Sequence, residues 1–462
     1  MGNSKVNEKD VKMSGEKSNL NIVQEAPRGW KRLIALGPGI VWTASAVGVA
    51  ELVFATRAGA LYGMALLWAP LLSLFIKYFM TEIVGTYTIA TGENVVTAFS
   101  RVEVKVGRIK LLPRGWILWL LWVFFIFSIA GMAGCALAVG AALYALIPAL
   151  SFTLWSLLSL VVVGVILFWG SYGALTHASR VLVAIMVFFI FYAIAKTLPP
   201  AGDLLGGLIP SVPSGSQPEL IPLLGWAGAG AVGTVWFSMW TQASKRGMAG
   251  KSGQPDVDDI TRIKEWIKIN RIDLIISTVI TAILTTGFLI AGAVILRPLG
   301  TVPEGDVLGT TLAKIAGLHW GKVGEIIFLL GVLGTLFSTL LANIDGICRV
   351  AASAVGFYQR KKELPKKWYN IFLLIYILTS ALLAFVVRAP VFMLQITAAV
   401  DTALIPIIAV MAVYICRKFM PIELRPARFT LIMTYVCGTF FVFFIIVLVV
   451  AIASGIKFAS AG

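Results

Sequence analysis

From residue 33 onward the chain is a succession of long apolar runs separated by short polar connectors. The runs cover residues 33–56, 62–89, 116–148, 152–170, 176–198, 221–244, 271–296, 323–347, 369–387, 391–415 and 429–454. Each is close to the ~20 residues that a helix needs to cross a hydrocarbon core. The pattern therefore predicts an all-α polytopic membrane protein of about eleven spanning helices, forming one transmembrane domain over 33–456 with no room for a separate soluble domain. The start of the chain reverses the pattern. Residues 1–32 form a polar tail, rich at first in Lys, Glu, Asn and Ser, too poor in hydrophobes to order itself and lacking the apolar core of a signal peptide. A disordered cytosolic tail is expected.

Composition agrees: 59% of the residues are hydrophobic and only 13% charged. The formal charge of +16 would suggest a polyanionic partner if it were spread evenly. It is not. With a cytosolic N-terminus and alternating spans, Arg57, Lys196, Arg297, Lys314, Lys322, Arg388 and Lys457 face outward and Lys77 lies within a span, leaving the other 30 of the 38 Lys and Arg on the cytosolic side. That asymmetry is the positive-inside rule, so the charge reports orientation in a plasma membrane and argues against nucleic-acid binding. The four cysteines, Cys135, Cys348, Cys416 and Cys437, are widely spaced in or beside apolar runs and read as buried small hydrophobes. His177 and His319 sit at run edges and form no metalloenzyme motif. Trp116, Trp119, Trp122, Trp155, Trp320 and Trp368 lie mostly near run ends, as interfacial anchors do.

One acid breaks the apolar pattern of the first run. Glu51 follows Ser45-Ala46-Val47-Gly48-Val49-Ala50, and a charge held inside a hydrocarbon span is expensive unless it meets a partner or an aqueous cavity. Five spans later, Gly225-Trp226-Ala227-Gly228-Ala229-Gly230-Ala231-Val232-Gly233-Thr234 concentrates glycine in the same way. Glycine also serves close packing in membrane helices. Its recurrence at corresponding points, with an intramembrane carboxylate, points to two inverted five-helix repeats, 33–198 and 221–415, an extra helix at 429–454, and a cation site at two helix breaks.

The residues that flank Glu51 carry a resemblance. Gly37-Pro38-Gly39, Ala58-Gly59-Ala60-Leu61-Tyr62-Gly63, Leu66-Leu67-Trp68 and Thr91-Gly92-Glu93-Asn94 resemble the Nramp family of divalent-metal transporters, without a gap through the first span. The resemblance implies a LeuT-type fold, with metal bound between the unwound centres of the first and sixth helices. The departures set the expectations. Where the family has Asp-Pro-Gly-Asn, this chain has Gly48-Val49-Ala50-Glu51, which moves the charge by three residues. The family's Met-Pro-His falls on Trp236-Phe237-Ser238, with the carbonyl position at Gly233, so the thioether is lost from the sixth span. Oxygen ligands without a thioether suit hard cations, and Mg2+ keeps several waters while binding one or two carboxylates. The pattern is similar to the Nramp-related magnesium transporters. Glu51, Ser45, Gly48, Gly233, Trp236 and Asp401 are the expected metal site, Mg2+ the expected cargo and Mn2+ a second one, with no cofactor and no enzymatic activity.

Coupling follows from the same comparison. The third-span stretch Gly131-Met132-Ala133-Gly134-Cys135 lacks the acids with which the family passes protons, and the sixth-span histidines fall near Ser238 and Ala243. Without titratable relays, uptake is expected to be uncoupled and driven by the ion gradient and the membrane potential. Glu325 and Asp345, near the interface with basic neighbours, are expected to pair with Lys322, Arg349 or backbone donors, while Glu82 either shapes an ion pathway or pairs with Lys77 or a backbone donor. Asp401, with Gln395 and Thr397 on the same span, remains a secondary candidate. The acids Asp256, Asp258 and Asp259 lack calcium-loop spacing and read as an exposed patch on a connector. The competing readings are a proton-coupled Mn2+ transporter of the same family and an amino-acid transporter of the same fold. Glu51 would repel a substrate carboxylate in the latter, and no basic residue is evident to receive it. A monomer is expected, with the bilayer and the metal ion as its partners.

Overall fold

The computed structural model describes residues 23–34, 37–39, 42–43, 48–106, 109–169, 188, 191–192, 195–196, 199–228, 230–251, 255–359 and 366–454. The expected tail therefore lies mostly outside the described residues, as do most of the fifth span (176–198) and Ser45. A π-helical stretch, Val49–Ala55, with all seven residues buried, runs into helix α1 (Thr56–Tyr62). Then come α2 (Trp68–Thr91), the short α3 (Val95–Ser100) and an antiparallel ribbon of β1 (Val104–Val106) and β2 (Ile109–Leu112). The long α4 (Trp116–Leu146) and α5 (Phe152–Trp169) follow. The second half comprises α6 (Gln217–Trp226), α7 (Ala231–Ala243), α8 (Val257–Ala291), α9 (Leu308–Tyr358), α10 (Lys366–Val387), α11 (Pro390–Phe419) and α12 (Arg428–Ala453).

Nine helical stretches among the described residues are long and apolar enough to cross a membrane. The second expected span is the 24-residue α2, less apolar than those nine because it carries Lys77, Glu82 and four threonines. The eighth is part of a longer segment: α9 bends at Gly321, whose φ of +54° interrupts the helix. The seventh begins well before residue 271. Asp256 caps α8 by accepting from the Asp259 amide, and Asp259 is itself buried and accepts from Val23 N. Asp256 and Asp258 are exposed as expected, whereas Asp259 is not part of an exposed patch, because it is buried and satisfies an amide near the helix start.

The centre of the molecule is α4, which packs along α9, α11 and α5. Close approach is built into its small residues. A Cβ on Gly131 would lie 2.8 Å from Thr397 Cγ2, and one on Gly134 would lie 2.7 Å from the Pro390 carbonyl, both on α11. In lipid, helices associate through this kind of contact, since burying apolar surface brings no gain over the acyl chains. The same device joins α1 to the end of α8, where Gly59 faces Leu289 O and Gly292 faces Thr56 O. The outward faces stay apolar, as with Leu374, Leu378, Leu382 and Phe385 of α10, all exposed.

Ion pairs lie largely where expected. Glu325 pairs with Lys322 and Asp345 with Arg349. Glu82 instead pairs with Arg271 of α8 at 2.6 Å. All four cysteines are buried and free.

Candidate metal-binding site

The sixth span is broken where its glycines cluster. Helix α6 ends at Trp226, Gly228 adopts φ +72°, and α7 begins after Gly230. On the facing side of the break, Gly48 is non-helical and starts the π-helical stretch. A single extra residue per turn is rare in helices and recurs at functional sites. Between these breaks and α4, α9 and α11 lies a cavity.

Pairs of residues one helical turn apart, five of the six residues polar, form part of its walls. Ser128 and Met132 come from α4, Thr339 and Asn343 from α9, and Thr397 and Asp401 from α11. Spacing of four puts each pair on one face of its helix. The sixth span adds Trp226, Gly230, Gly233 and Trp236, and the first adds Val49 and Ala50. The cavity offers about 60 Å³ to the centres of water molecules. One water needs about 10–15 Å³ by that measure, so several fit.

Asp401 supplies the cavity's carboxylate. Its Oδ1 accepts from Val232 N at 3.1 Å and its Oδ2 from Trp226 Nε1 at 3.0 Å, so it joins α11 to both halves of the broken span. Gly230 leaves room for this carboxylate, because a Cβ there would lie 1.7 Å from Asp401 Oδ2 and would displace it. Two further buried polar atoms of wall residues, Asn343 Oδ1 and Trp236 Nε1, have no hydrogen-bond partner. A carbonyl oxygen left in that condition is a natural ligand for a cation or its water.

Glu51 is placed differently. It is fully buried and does not line the cavity; its Oε2 accepts from Gly48 N at 3.1 Å, and its Oε1 from Gly228 N at 3.4 Å and Thr285 Oγ1 at 3.5 Å. The carboxylate thus clasps the first-span break, the sixth-span break and α8. Gly48 packs against α9, where a Cβ would lie 2.1 Å from Thr339 Oγ1. Of the expected residues, Gly233, Trp236 and Asp401 therefore meet at the cavity, Glu51 and Gly48 stand behind its wall, and Ser45 lies outside the described residues. Gly233 falls in the first turn of α7, just past the break. Thr397 lines the cavity, whereas Gln395 donates to Pro218 O and Glu219 Oε1 in a buried network with Arg57, which pairs with Glu219 at 3.0 Å.

Ser128, Met132, Trp226, Thr339 and Asn343 did not emerge as candidates from the sequence. The signal was present in the four-residue spacing of polar positions Thr335, Thr339 and Asn343 within an apolar run. Met132 matters most, because it restores to the cavity a thioether that the sixth span lacks. Lys77 is also closer to the break than its place in the sequence suggests. Its Nζ donates to Leu224 O at 3.1 Å and Gly225 O at 3.0 Å, at the end of α6.

Gly131, Gly134 and Ser238, expected from the sequence to stand where relay groups are missing, make packing and hydrogen-bond contacts. Gly131 and Gly134 face α11 at distances that leave no room for an acidic side chain. Ser238 accepts from Val95 N at 3.2 Å and donates to Val235 O. Among the described residues no group of three or more His, Cys, Asp or Glu is assembled.

Comparison with known proteins agrees with this layout. The Nramp family profile, described as natural resistance-associated macrophage protein-like, matches residues 39–451. An uncharacterised protein of Pasteurella multocida (strain Pm70) is 24% identical over 359 residues, 74% of this chain and 75% of that protein. Among solved structures, the Eremococcus coleocola manganese transporter in complex with an aromatic bis-isothiourea compound superposes with a TM-score of 0.70 at 16% identity, covering 95% of this chain and 90% of that one. Mhp1, a nucleobase-cation-symport-1 family transporter in a closed conformation, gives 0.52 at 13% identity over 92% of this chain and 94% of its own. MhsT in complex with L-phenylalanine gives 0.50 at 12% identity over 92% and 100%. These likenesses show the fold to be LeuT-type.

Proposed function

This chain belongs to the Nramp family and is a multi-pass divalent-metal transporter rather than an enzyme, and we propose that its principal cargo is Mg2+, with Mn2+ also carried, taken up by alternating access without proton coupling. The observation that carries the reading is the cavity at the helix breaks, which combines one carboxylate, Asp401, with neutral oxygens of Asn343, Thr339, Thr397 and Ser128 and has room for several waters. Mg2+ dehydrates reluctantly, and a spacious site with one acid suits a partly hydrated ion. Asp401 and Asn343 hold the ion or its waters, Gly233 and Trp236 shape the α7 side, and Glu51 fixes the two breaks relative to each other. Gly48 lets the first span pack against Thr339 of α9.

Uncoupled transport is supported by the glycine contacts of α4, which exclude a relay acid from the third span, and by Ser238 in place of a histidine. The driving force suffices, since a doubly charged ion gains about 4.6 kcal/mol per 100 mV on moving inward, twice the ~2.3 for a single charge. The distribution of Lys and Arg supports a cytosolic N-terminus, and we place the chain in the plasma membrane as a monomer.

The test is Mg2+ influx into proteoliposomes containing the purified full chain, with internal pH recorded in the same vesicles under a negative-inside potential. Mg2+ entry without acidification supports the reading, and acidification that tracks Mg2+ overturns its uncoupled part. A second reading, a transition-metal transporter selective for Mn2+, is favoured by Met132, whose soft thioether lines the cavity. Met132→Leu discriminates between the two: Mn2+ flux should fall relative to Mg2+ flux in the second reading and the ratio should hold in the first.

A further inference from the structure

Five consecutive residues at the sixth-span break, Leu224 to Gly228, gather one buried cation and two buried carboxylates. Lys77 Nζ takes the carbonyls of Leu224 and Gly225. The Trp226 indole holds Asp401, and the Gly228 amide holds Glu51. Lys77 is 2% exposed. Ser73, one turn earlier on α2, donates to the same Leu224 carbonyl at 2.5 Å, and the Phe441 ring of α12 lies 6.0 Å from the ammonium. Carbonyls at a helix C-terminus carry partial negative charge that no helical amide satisfies. In broken-helix transporters such carbonyls coordinate a small mobile cation that moves with the substrate. Here a side chain has its charge among them.

We propose that Lys77 is a tethered monovalent cation that permanently fills the carbonyl site at the end of α6, so that this chain carries a divalent ion without a companion Na+ or other small cation. The ammonium is a compact point charge on a long stem, suited to reach a carbonyl cluster from a neighbouring helix. It offsets one of the two carboxylate charges at the break and leaves the other to attract the divalent cargo. Because the ammonium cannot leave, the break keeps its shape whether or not the cargo is bound. Lys77 does not line the cavity and acts through the 224–228 segment as a positioning residue.

Removal of the amine should create a vacant site for a mobile cation, and that is a readout which loss of packing alone would not give. The full-length protein in detergent is compared as wild type, Lys77→Ala and Lys77→Met by thermal melting in NaCl, methylammonium chloride and choline chloride at one ionic strength. Lys77→Ala should melt lower than wild type in choline and recover in Na+ or methylammonium, with wild type indifferent and Lys77→Met, whose stem blocks the site, not rescued. This measurement does not depend on the cargo. The flux arm rests on the proposed divalent transport: in proteoliposomes Lys77→Ala should lose about 10- to 100-fold of its Mg2+ or Mn2+ influx in choline, the range for losing hydrogen bonds from a charged donor, and regain a substantial part of it in Na+ or methylammonium. Equal melting of Lys77→Ala in all three salts, or an equal salt response in wild type, overturns the proposal. Wild type that carries no divalent ion while ion-specific rescue of melting persists overturns the transport reading and leaves the tethered cation standing.

Discussion

At the residue scale, the informative contrast is between two buried carboxylates with different partners. Glu51 accepts from Gly48 N, Gly228 N and Thr285 Oγ1 behind the cavity wall, while Asp401 stands at the cavity with its oxygens turned to Trp226 and Val232 N. Substituting each should therefore fail differently. Glu51→Ala strands two buried amides, at about 1–3 kcal/mol each, and should lower the melting temperature together with transport. Glu51→Gln keeps one acceptor oxygen for one of the two amides and should recover part of the stability. Asp401→Asn keeps the shape, removes the charge and keeps one acceptor oxygen, but turns an NH2 toward the Val232 or Trp226 donor. Its melting temperature should fall modestly, with about 1–3 kcal/mol of lost stability, while Mg2+ or Mn2+ uptake drops at least about tenfold. Uptake assays alongside melting curves would expose an error here if Glu51→Gln lost transport at full stability.

At the element scale, α4 is defined by how closely α11 approaches it. Gly131 and Gly134 permit that approach, and the same contact keeps Thr397, which donates to the Phe127 carbonyl, at the edge of the cavity. Gly131→Ala places a methyl 2.8 Å from Thr397 Cγ2. The overpacking should cost about 1–3 kcal/mol and reduce metal affinity through displacement of α11, which metal-dependent thermal stabilisation would register as a weaker shift than in wild type. The third-span Gly131-Met132-Ala133-Gly134-Cys135 stretch was readable as a loss of relay acids; that these positions are also packing contacts was not, because the sequence does not say which helix lies opposite. Register on α7 shows the same limit. The glycine cluster located the break to within a few residues, and its position at 227–230, ahead of Gly233, depends on where Asp401 and Glu51 reach it from other helices.

At the scale of the whole molecule, the relevant quantities are charge asymmetry and the potential. If the cytosolic end carries most of the Lys and Arg, proteoliposomes with the protein oriented that way inside should take up Mg2+ faster as the interior is made more negative, and a pH gradient of either sign should leave the initial rate unchanged. A rate that follows the pH gradient at fixed potential would contradict uncoupled transport. The buried Arg57–Glu219 pair joins α1 to α6, and Gln395 of α11 binds the same Glu219, so the two repeats are linked at that end by charge as well as by packing.

The sequence by itself determined the membrane class, the approximate bounds of most of the described spans, the neighbourhood of the two breaks and the presence of two intramembrane carboxylates, Glu51 and Asp401. These follow from hydrocarbon thickness, the cost of a charge in lipid and the permissiveness of glycine, all of which act along the chain. Only the tertiary structure decided which carboxylate faces the cavity, that Asn343 and Met132 join Asp401 there, and that Lys77 ends α6. Those outcomes depend on which helix faces come together across gaps as long as the 234 residues between Glu51 and Thr285 or longer, and a side chain's direction relative to a distant partner is not encoded in spacing on its own helix.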